Sequence, residues 1–389
     1  MKTICIISVL IIIVILYPIP MDAQWVQCGG TVQGNVLSLA TDGTKLFAGT
    51  EGAGVYYSAN MGTTWTEVNN GLFSKTVPSI VMLGNSIFAG TQDGVFVSNN
   101  NRTNWARSGL TSLVVNSINV ASGKMYAGTY GIAGGAYMSS NNGSSWLQLG
   151  LDKKNVWYVT PIGSLVWGGT ELNGIFQTTN NGLDWVESNK GISFTDIRSI
   201  GANSTNLFAG SWMGGVYTSV DGGQNWIAKK NGMDNTFVRA MIVYNNNIFA
   251  GTTYGVYLST NNGEDWFNAN NGLKSFKIYC LLVKGEYIYA GTDAGTIYRA
   301  KLNDLGITSI NEKETASSIR ITPNPSSDFI YLTNATGNKS PVFIFNSLGE
   351  KVISIDPQDT DSQRIDISDL PRGIYFVRSG NLIAKFQKE

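Results

Sequence analysis

Histidine is absent from the 389 residues. That excludes imidazole metal ligands, histidine general bases and Ser-His or Cys-His nucleophiles. Cysteine is nearly absent: Cys5, Cys28 and Cys280 are too few for a disulfide framework or a four-thiolate zinc site. Charge is scarce and balanced. Lys plus Arg and Asp plus Glu number 27 each, and charged residues make 14% of the chain, against a usual ~25%. Such a chain has little clustered positive charge to track a phosphate backbone, so nucleic acid is not an expected partner. Long apolar runs are missing after Leu16, so the mature chain is expected to have no membrane span. Nothing in the residue pattern calls for a metal or another cofactor. What is present is glycine, 45 residues, and aromatics at 11%, a composition suited to short strands and tight turns. The length leaves room for two or three domains of roughly 100–200 residues.

The first residues read as an address. Met1-Lys2 precedes an apolar run from Ile4 to Leu16, followed by Pro18, Pro20 and a small residue at Ala23. The run falls short of the about 20 residues a membrane-spanning helix needs. The expectation is a secretory signal peptide over 1–23 and a mature chain from Gln24. Cys5 lies inside the run, which does not suit a lipoprotein cysteine.

The middle of the chain is one unit written seven times. Gly49, Gly90, Gly128, Gly169, Gly210, Gly251 and Gly291 each follow an aromatic and a small residue and precede Thr or Ser. Their spacings are 41, 38, 41, 41, 41 and 40. A period near 40 with several strands per unit is that of a β-propeller. The last unit, ending near Lys301, has three strands, and the segment Trp25–Cys28 is expected to supply its fourth. The expected fold is all-β: a seven-bladed propeller of four-stranded blades over 24–302, its ring closed by the N-terminal strand. On this arrangement Cys28 is on the outermost strand of the last blade and Cys280 on its innermost, about three strand spacings apart. That exceeds disulfide reach, so both are expected to be free.

A second series marks the turn before the outer strand. Ser58, Asn60, Gly62 and Trp65 stand at i, i+2, i+4 and i+7. The spacing recurs at Ser139, Asn141, Gly143 and Trp146, at Thr178, Asn180, Gly182 and Trp185, at Ser219, Asp221, Gly223 and Trp226, and at Ser259, Asn261, Gly263 and Trp266. In the second unit Ser98, Asn100 and Trp105 keep the spacing while Arg102 replaces glycine. Asn or Asp can bond its own turn backbone, glycine supplies a positive φ, and tryptophan packs between blades. These turns resemble Asp-boxes, also called BNR repeats, and a structural role is expected for them. Asp221-Gly222-Gly223 lacks the further carboxylates a calcium loop would need.

The character of the chain changes after residue 303. All ten tryptophans lie between Trp25 and Trp266. Residues 303–316 read as a polar linker. From 317 to 389, seven short alternating runs separated by Pro, Gly, Asn and Asp indicate a small Ig-like β-sandwich. Pro323-Asn324-Pro325-Ser326, Asn346-Ser347-Leu348-Gly349-Glu350, the stretch Ile365–Tyr375 and the closing Lys385–Lys388 occur in order near the C-terminus. They resemble the type IX secretion C-terminal sorting domain. The resemblance implies the type IX secretion machinery as a partner, and an extracellular or cell-surface location.

In propellers, ligands usually meet the mouth of the central channel, and in the family resembled the Asp-boxes sit on the opposite rim. The candidate face carries Glu51, Asp93, Tyr130, Glu171, Trp212, Tyr254 and Asp293 on one set of loops. Lys75, Asp152, Lys153, Asp196, Asp234 and Phe237 lie on the other. At the second position of each inner strand stand Leu37, Pro78, Asn116, Trp157, Arg198, Arg239 and Tyr279. The informative sector is Trp157, Arg198, Arg239 and Tyr279 on consecutive blades, with Trp212 and Tyr254 expected to hang over it. Two readings stay open. The sector binds an acidic glycan or protein segment, or its arginines pair with Asp196, Glu171 or Asp234 and its aromatics pack between blades.

An enzyme is the less favoured reading. Asp-box sialidases use three arginines and a Phe-Arg-Ile-Pro stretch; the propeller has Arg102, Arg107, Arg198, Arg239 and Arg299 and no such stretch. Xyloglucanases resemble the domain in blade number but place their carboxylates between two propellers. For a hydrolase, Asp196 with Asp234 or Glu171 with Asp196 are the pairs to test. The overall pattern resembles the photosystem II assembly-factor-like group, which binds protein segments. The expected function is a noncatalytic binding or adhesion module for an extracellular glycan or protein, acting as a monomer. The alternative is a glycoside hydrolase.

Overall fold

The repeats become sheets because each unit alternates short β-branched or aromatic runs with Gly- and Asn-rich turns. In the first, Val36–Thr41, Leu46–Thr50, Val55–Ser58 and Thr66–Glu67 pair antiparallel in that order. The same order recurs in the next five units. The computed structural model describes residues 25–99, 104–307, 319–334, 341–346, 351–356, 362–379 and 382–389. The leader over 1–23, the turn residues Asn100 and Arg102, positions 308–316 of the expected linker and Ser347–Glu350 of the sorting motif lie outside the described residues.

The seventh sheet closes the ring. Ile278–Lys284, Tyr287–Thr292 and Ile297–Lys301 receive their fourth strand from Val26–Gln27, with Val26 opposite Arg299 and Gln27 opposite Tyr298. Each inner strand packs against the inner strand of the next blade, and that of blade seven packs against that of blade one. The second strand of each blade is buried through its centre, as in Leu46–Thr50 and in Tyr287–Thr292 after its first residue. Neighbouring blades cover both of its faces.

The recurring glycine has a steric cause. A Cβ at Gly49 would lie 2.3 Å from Ser38 Oγ and 2.6 Å from the Val77 carbonyl oxygen of blade two. At Gly251 it would lie 2.6 Å from Ile278 Cγ2, and at Gly291 2.6 Å from Val36 Cγ1, which crosses the closure of the ring. The residue after it ties the hairpin: Thr50, Thr91, Thr129, Thr170, Thr252 and Thr292 are buried, and each donates its hydroxyl to a carbonyl at the start of the third strand.

The turns on the far rim are built alike. Gly62 N and Asn60 N donate to Ser58 Oγ, Ser58 Oγ donates to Asn60 Oδ1, and Thr64 N donates to the same oxygen. The pattern repeats around Asn141, Asn180, Asp221 and Asn261. The glycine carries a positive φ of 77–87°, and the residue before it is also left-handed, at φ 54–71°, in Met61, Asn142, Asn181, Gly222 and Asn262. That second left-handed residue explains the preference for Asn there. The tryptophan reaches the preceding blade: Nε1 of Trp105, Trp146, Trp185 and Trp266 donates to the carbonyls of Val68, Ser108, Leu149 and Lys229. Trp226 uses Ser188 Oγ, and Trp25 makes the corresponding bond to Ala269 across the ring closure. Trp65 Nε1 is buried without a partner.

The chain stays packed beyond the point where a linker is expected. Asn303–Leu305 forms one 3-10 turn, and Leu302, Leu305 and Ile307 are buried in the core that holds Trp25. The polar Asn303 and Asp304 mask this in the sequence. Two compact units divide between positions 309 and 310. In the second, Ile319–Thr322, Phe329–Asn334 and Ser362–Asp366 form one sheet, and Lys351–Ile355, Val342–Phe345, Gly373–Ser379 and Leu382–Lys388 form the other. Ile330, Ile344, Ile365, Val377 and Phe386 fill the core of this sandwich. The Pro-Asn-Pro-Ser segment ties to the last strand through Asn324 Nδ2 to the Lys385 carbonyl and Ser326 N to the Gln387 carbonyl. Cys28 and Cys280 are free and buried. Burial pushes the Cys28 thiol up to about 11, and that of Cys280 also upward.

Three outcomes test this packing. Gly49→Ala should cost about 2 kcal/mol of stability through overpacking, read from the denaturation midpoint. A thiol reagent at pH 8 should modify neither Cys28 nor Cys280 in the native chain and both after unfolding. Asp221 is held at about 2, first by the Asn225 side chain and then by backbone and Ser219 hydrogen bonds. A lowered carboxylate stabilises above its unfolded pKa and loses that contribution as pH falls through the folded value. The Tm advantage of the wild type over Asp221→Asn should therefore be constant above about pH 5 and shrink toward pH 2.

Candidate functional site

In six of seven blades the inner strand is irregular at one place. The register slips between Val36 and Ser38, Val115 and Ser117, Val156 and Tyr158, Ile197 and Ser199, Val238 and Ala240, and Ile278 and Cys280. Each slip is a β-bulge that leaves one residue outside the ladder. Those residues are Leu37, Asn116, Trp157, Arg198, Arg239 and Tyr279. Blade two has Pro78 at the position, just ahead of Ser79–Leu83. All seven line one cavity of about 740 Å³ at the channel mouth, with Glu51, Thr76 and Gln92. The sequence carries a trace of the bulge that its reading missed. Val36 and Leu39, or Ile197 and Ile200, are both buried at an odd spacing, which strict strand alternation does not allow.

The sector over blades four to seven is a ladder of alternating rings and guanidiniums. Arg198 Cζ lies 3.9 Å from the Trp157 ring centroid and 5.1 Å from that of Trp212. Arg239 Cζ lies 4.7 Å from the centroids of both Trp212 and Tyr279. Cation–π contacts of this kind are worth about 0.5–2 kcal/mol each, more when dry. Trp212 is fixed from two sides. Its main-chain N–H donates to the Asp196 carbonyl at 2.8 Å, and its ring meets that of Phe237 edge-on at 5.1 Å. Tyr130 leans on Trp157 with ring centroids 6.0 Å apart. Phe237 and Tyr130 were not legible as ladder supports, because only the fold brings their loops together.

The two arginines differ. Arg198 Nε and Nη2 donate to the two carboxylate oxygens of Asp196 at 2.9 and 2.8 Å, and both side chains are less than a fifth exposed. Arg239 pairs with no carboxylate among the described residues, and its Nε is buried without a partner. Burial draws its pKa down from the ordinary guanidinium value; the field of Arg198 adds to this, while Tyr279 and Glu51 oppose it. Glu51 itself accepts a hydrogen bond from Asn35 Nδ2.

Of the pairings expected for these arginines, Asp196 with Arg198 forms. Glu171 instead accepts Asn155 Nδ2 at 2.7 Å, and Asp234 is exposed. Tyr254 does not join the sector: it is 67% exposed, and no ring contact links it to Trp212. Asp93 is engaged by Arg107, and Asp293 by Ser275. Among the described residues no group of three or more Cys, Asp or Glu is placed to hold a metal ion, and no helix is long and apolar enough to cross a membrane.

Comparison with known proteins bears on both units. Residues 320–388 match the family model of the secretion system C-terminal sorting domain. No curated protein matches the chain significantly. Among solved structures, YCF48 bound to D1 peptide is similar at TM-score 0.59 and 14% identity, over 72% of this chain and 97% of that one. PorZ, a surface component of the type IX secretion system of Porphyromonas gingivalis, gives TM-score 0.56 and 14% identity over 93% of this chain and 60% of its own. An ancestral GH74 enzyme gives 0.57 and 16% over 94% and 63%. At such identities these likenesses speak for the fold. The chain is a seven-bladed β-propeller followed by a secretion system C-terminal sorting domain.

Proposed function

We propose that the protein is a noncatalytic binding module, exported through type IX secretion to the cell surface or medium, that takes an acidic ligand at the channel mouth opposite the Asp-box turns. The leader over 1–23 is read as its signal peptide. One observation carries the reading: the charged groups at the mouth are set for binding and not for acid–base work. A glycoside hydrolase needs two carboxylates, about 5–9.5 Å apart, with roles in proton transfer or nucleophilic attack. Both candidate pairs include Asp196, and Asp196 spends both oxygens on Arg198. What stays available is the unpaired Arg239, flanked by aromatic rings. The likeness to YCF48 bound to a peptide supports a polypeptide ligand, and the likeness to PorZ supports a surface role. The likeness to a GH74 enzyme keeps glycan chemistry as the reading to exclude.

The test uses the purified chain from Gln24 against a panel of neutral and acidic polysaccharides and acidic peptides. Retardation of the protein in glycan gels, or peptide binding, is expected without release of reducing ends. New reducing ends that disappear in Asp196→Asn or Asp234→Asn would overturn the noncatalytic reading.

A further inference from the structure

The aromatic ladder holds two guanidiniums but leaves only one with charge to spare. We infer that Asp196 sets the charge the mouth accepts: by neutralising Arg198 it leaves Arg239 as the single anchor, so the ligand is held by one carboxylate and not by a pair. This rests on the binding reading above and specifies its ligand.

Three features of the site lead to it. First, Asp196 holds Arg198 through two parallel hydrogen bonds, a geometry that satisfies the fork of the guanidinium. Its main-chain carbonyl also fixes Trp212, the ring between the two arginines. Arg198 therefore positions the ladder and does not reach for ligand. Second, Arg239 lies over the rings of both Trp212 and Tyr279, 4.7 Å from each centroid, and its Nε is buried without a partner. No carboxylate among the described residues engages the guanidinium, and a planar carboxylate of the ligand matches its fork of N–H donors. Third, the carboxylate that lines the cavity is Glu51, held by Asn35. A second anionic group on the ligand would find Arg198 already neutralised by Asp196 and would be repelled by Glu51. The carboxylate could come from a uronate or from an acidic side chain, since both present the same planar group.

The experiment titrates the full chain, followed by tryptophan fluorescence and calorimetry. Its probes are the monocarboxylates butyrate and glucuronate, an acetylated aspartate peptide amide, and the dicarboxylates glutarate and adipate. In the wild type, one carboxylate should suffice, and adipate should gain nothing over butyrate. Arg239→Gln should weaken every probe by about tenfold or more. Asp196→Asn should unmask Arg198 and favour adipate over butyrate by about tenfold, a gain that Asp196→Asn with Arg198→Gln should remove. A stronger glucuronate or peptide signal identifies the source of the carboxylate. If Asp196→Asn fails to fold by circular dichroism, the Arg239→Gln result decides. An unchanged adipate-to-butyrate ratio in a folded Asp196→Asn, or undiminished butyrate binding in Arg239→Gln, overturns the inference. Wild-type binding of a neutral polysaccharide with no carboxylate preference overturns it while sparing the binding reading. Binding of no probe in either experiment sinks both.

Discussion

The propeller depends on how closely one blade can approach the next. At each repeat a glycine in the second strand meets the first strand of the following blade, at distances where a Cβ would collide with backbone or with a packed side chain. Because the same contact recurs across the closure, at Gly291 against Val36, every step around the ring has a similar geometry. Repeat proteins gain stability from such neighbour interfaces more than from any single repeat. The outer perimeter is held by a second device. Five of the six tryptophans after a box turn, all but Trp65, bond back to the preceding blade, and Trp25 does the same from the N-terminal strand.

Backbone contacts of this kind leave other positions chemically free. The bulged residue of each inner strand takes no part in the ladder, so its side chain contributes little to sheet pairing. Six such residues and Pro78 of blade two line the channel mouth, and they are as varied as Leu37, Asn116, Trp157 and Arg239. The fold therefore separates a repeated scaffold from a ring of unlike side chains. Under the proposed function, two arginines on adjacent blades supply the positive charge at that mouth, and one aspartate, paired with Arg198, sets how much of it a ligand meets.

Much of this was legible in the sequence. The forty-residue period, the glycine and tryptophan series and the incomplete last unit determined the blade number, the closure by Trp25–Cys28 and the separation of the two cysteines. The reason is that these features are local and repeated, so each copy checks the others. The sector of Trp157, Arg198, Arg239 and Tyr279 was also legible, since counting from the Gly-Thr anchor gives its register. The alternating runs and ordered motifs of the tail likewise determined the sandwich and its sorting identity.

Tertiary structure alone decided how those residues are used. The sequence offered Asp196, Glu171 and Asp234 equally as partners for the arginines. In the structure Asp196 pairs with Arg198, and Arg239 has no carboxylate partner among the described residues. Trp212 and Tyr254 occupy equivalent loops, yet Trp212 bridges to Phe237 and enters the ladder while Tyr254 points to solvent. Leu302, Leu305 and Ile307 are buried although their polar neighbours suggest a linker. Side-chain pairing and burial at such places depend on distances between loops far apart in the chain, and a one-dimensional pattern carries no term for those distances.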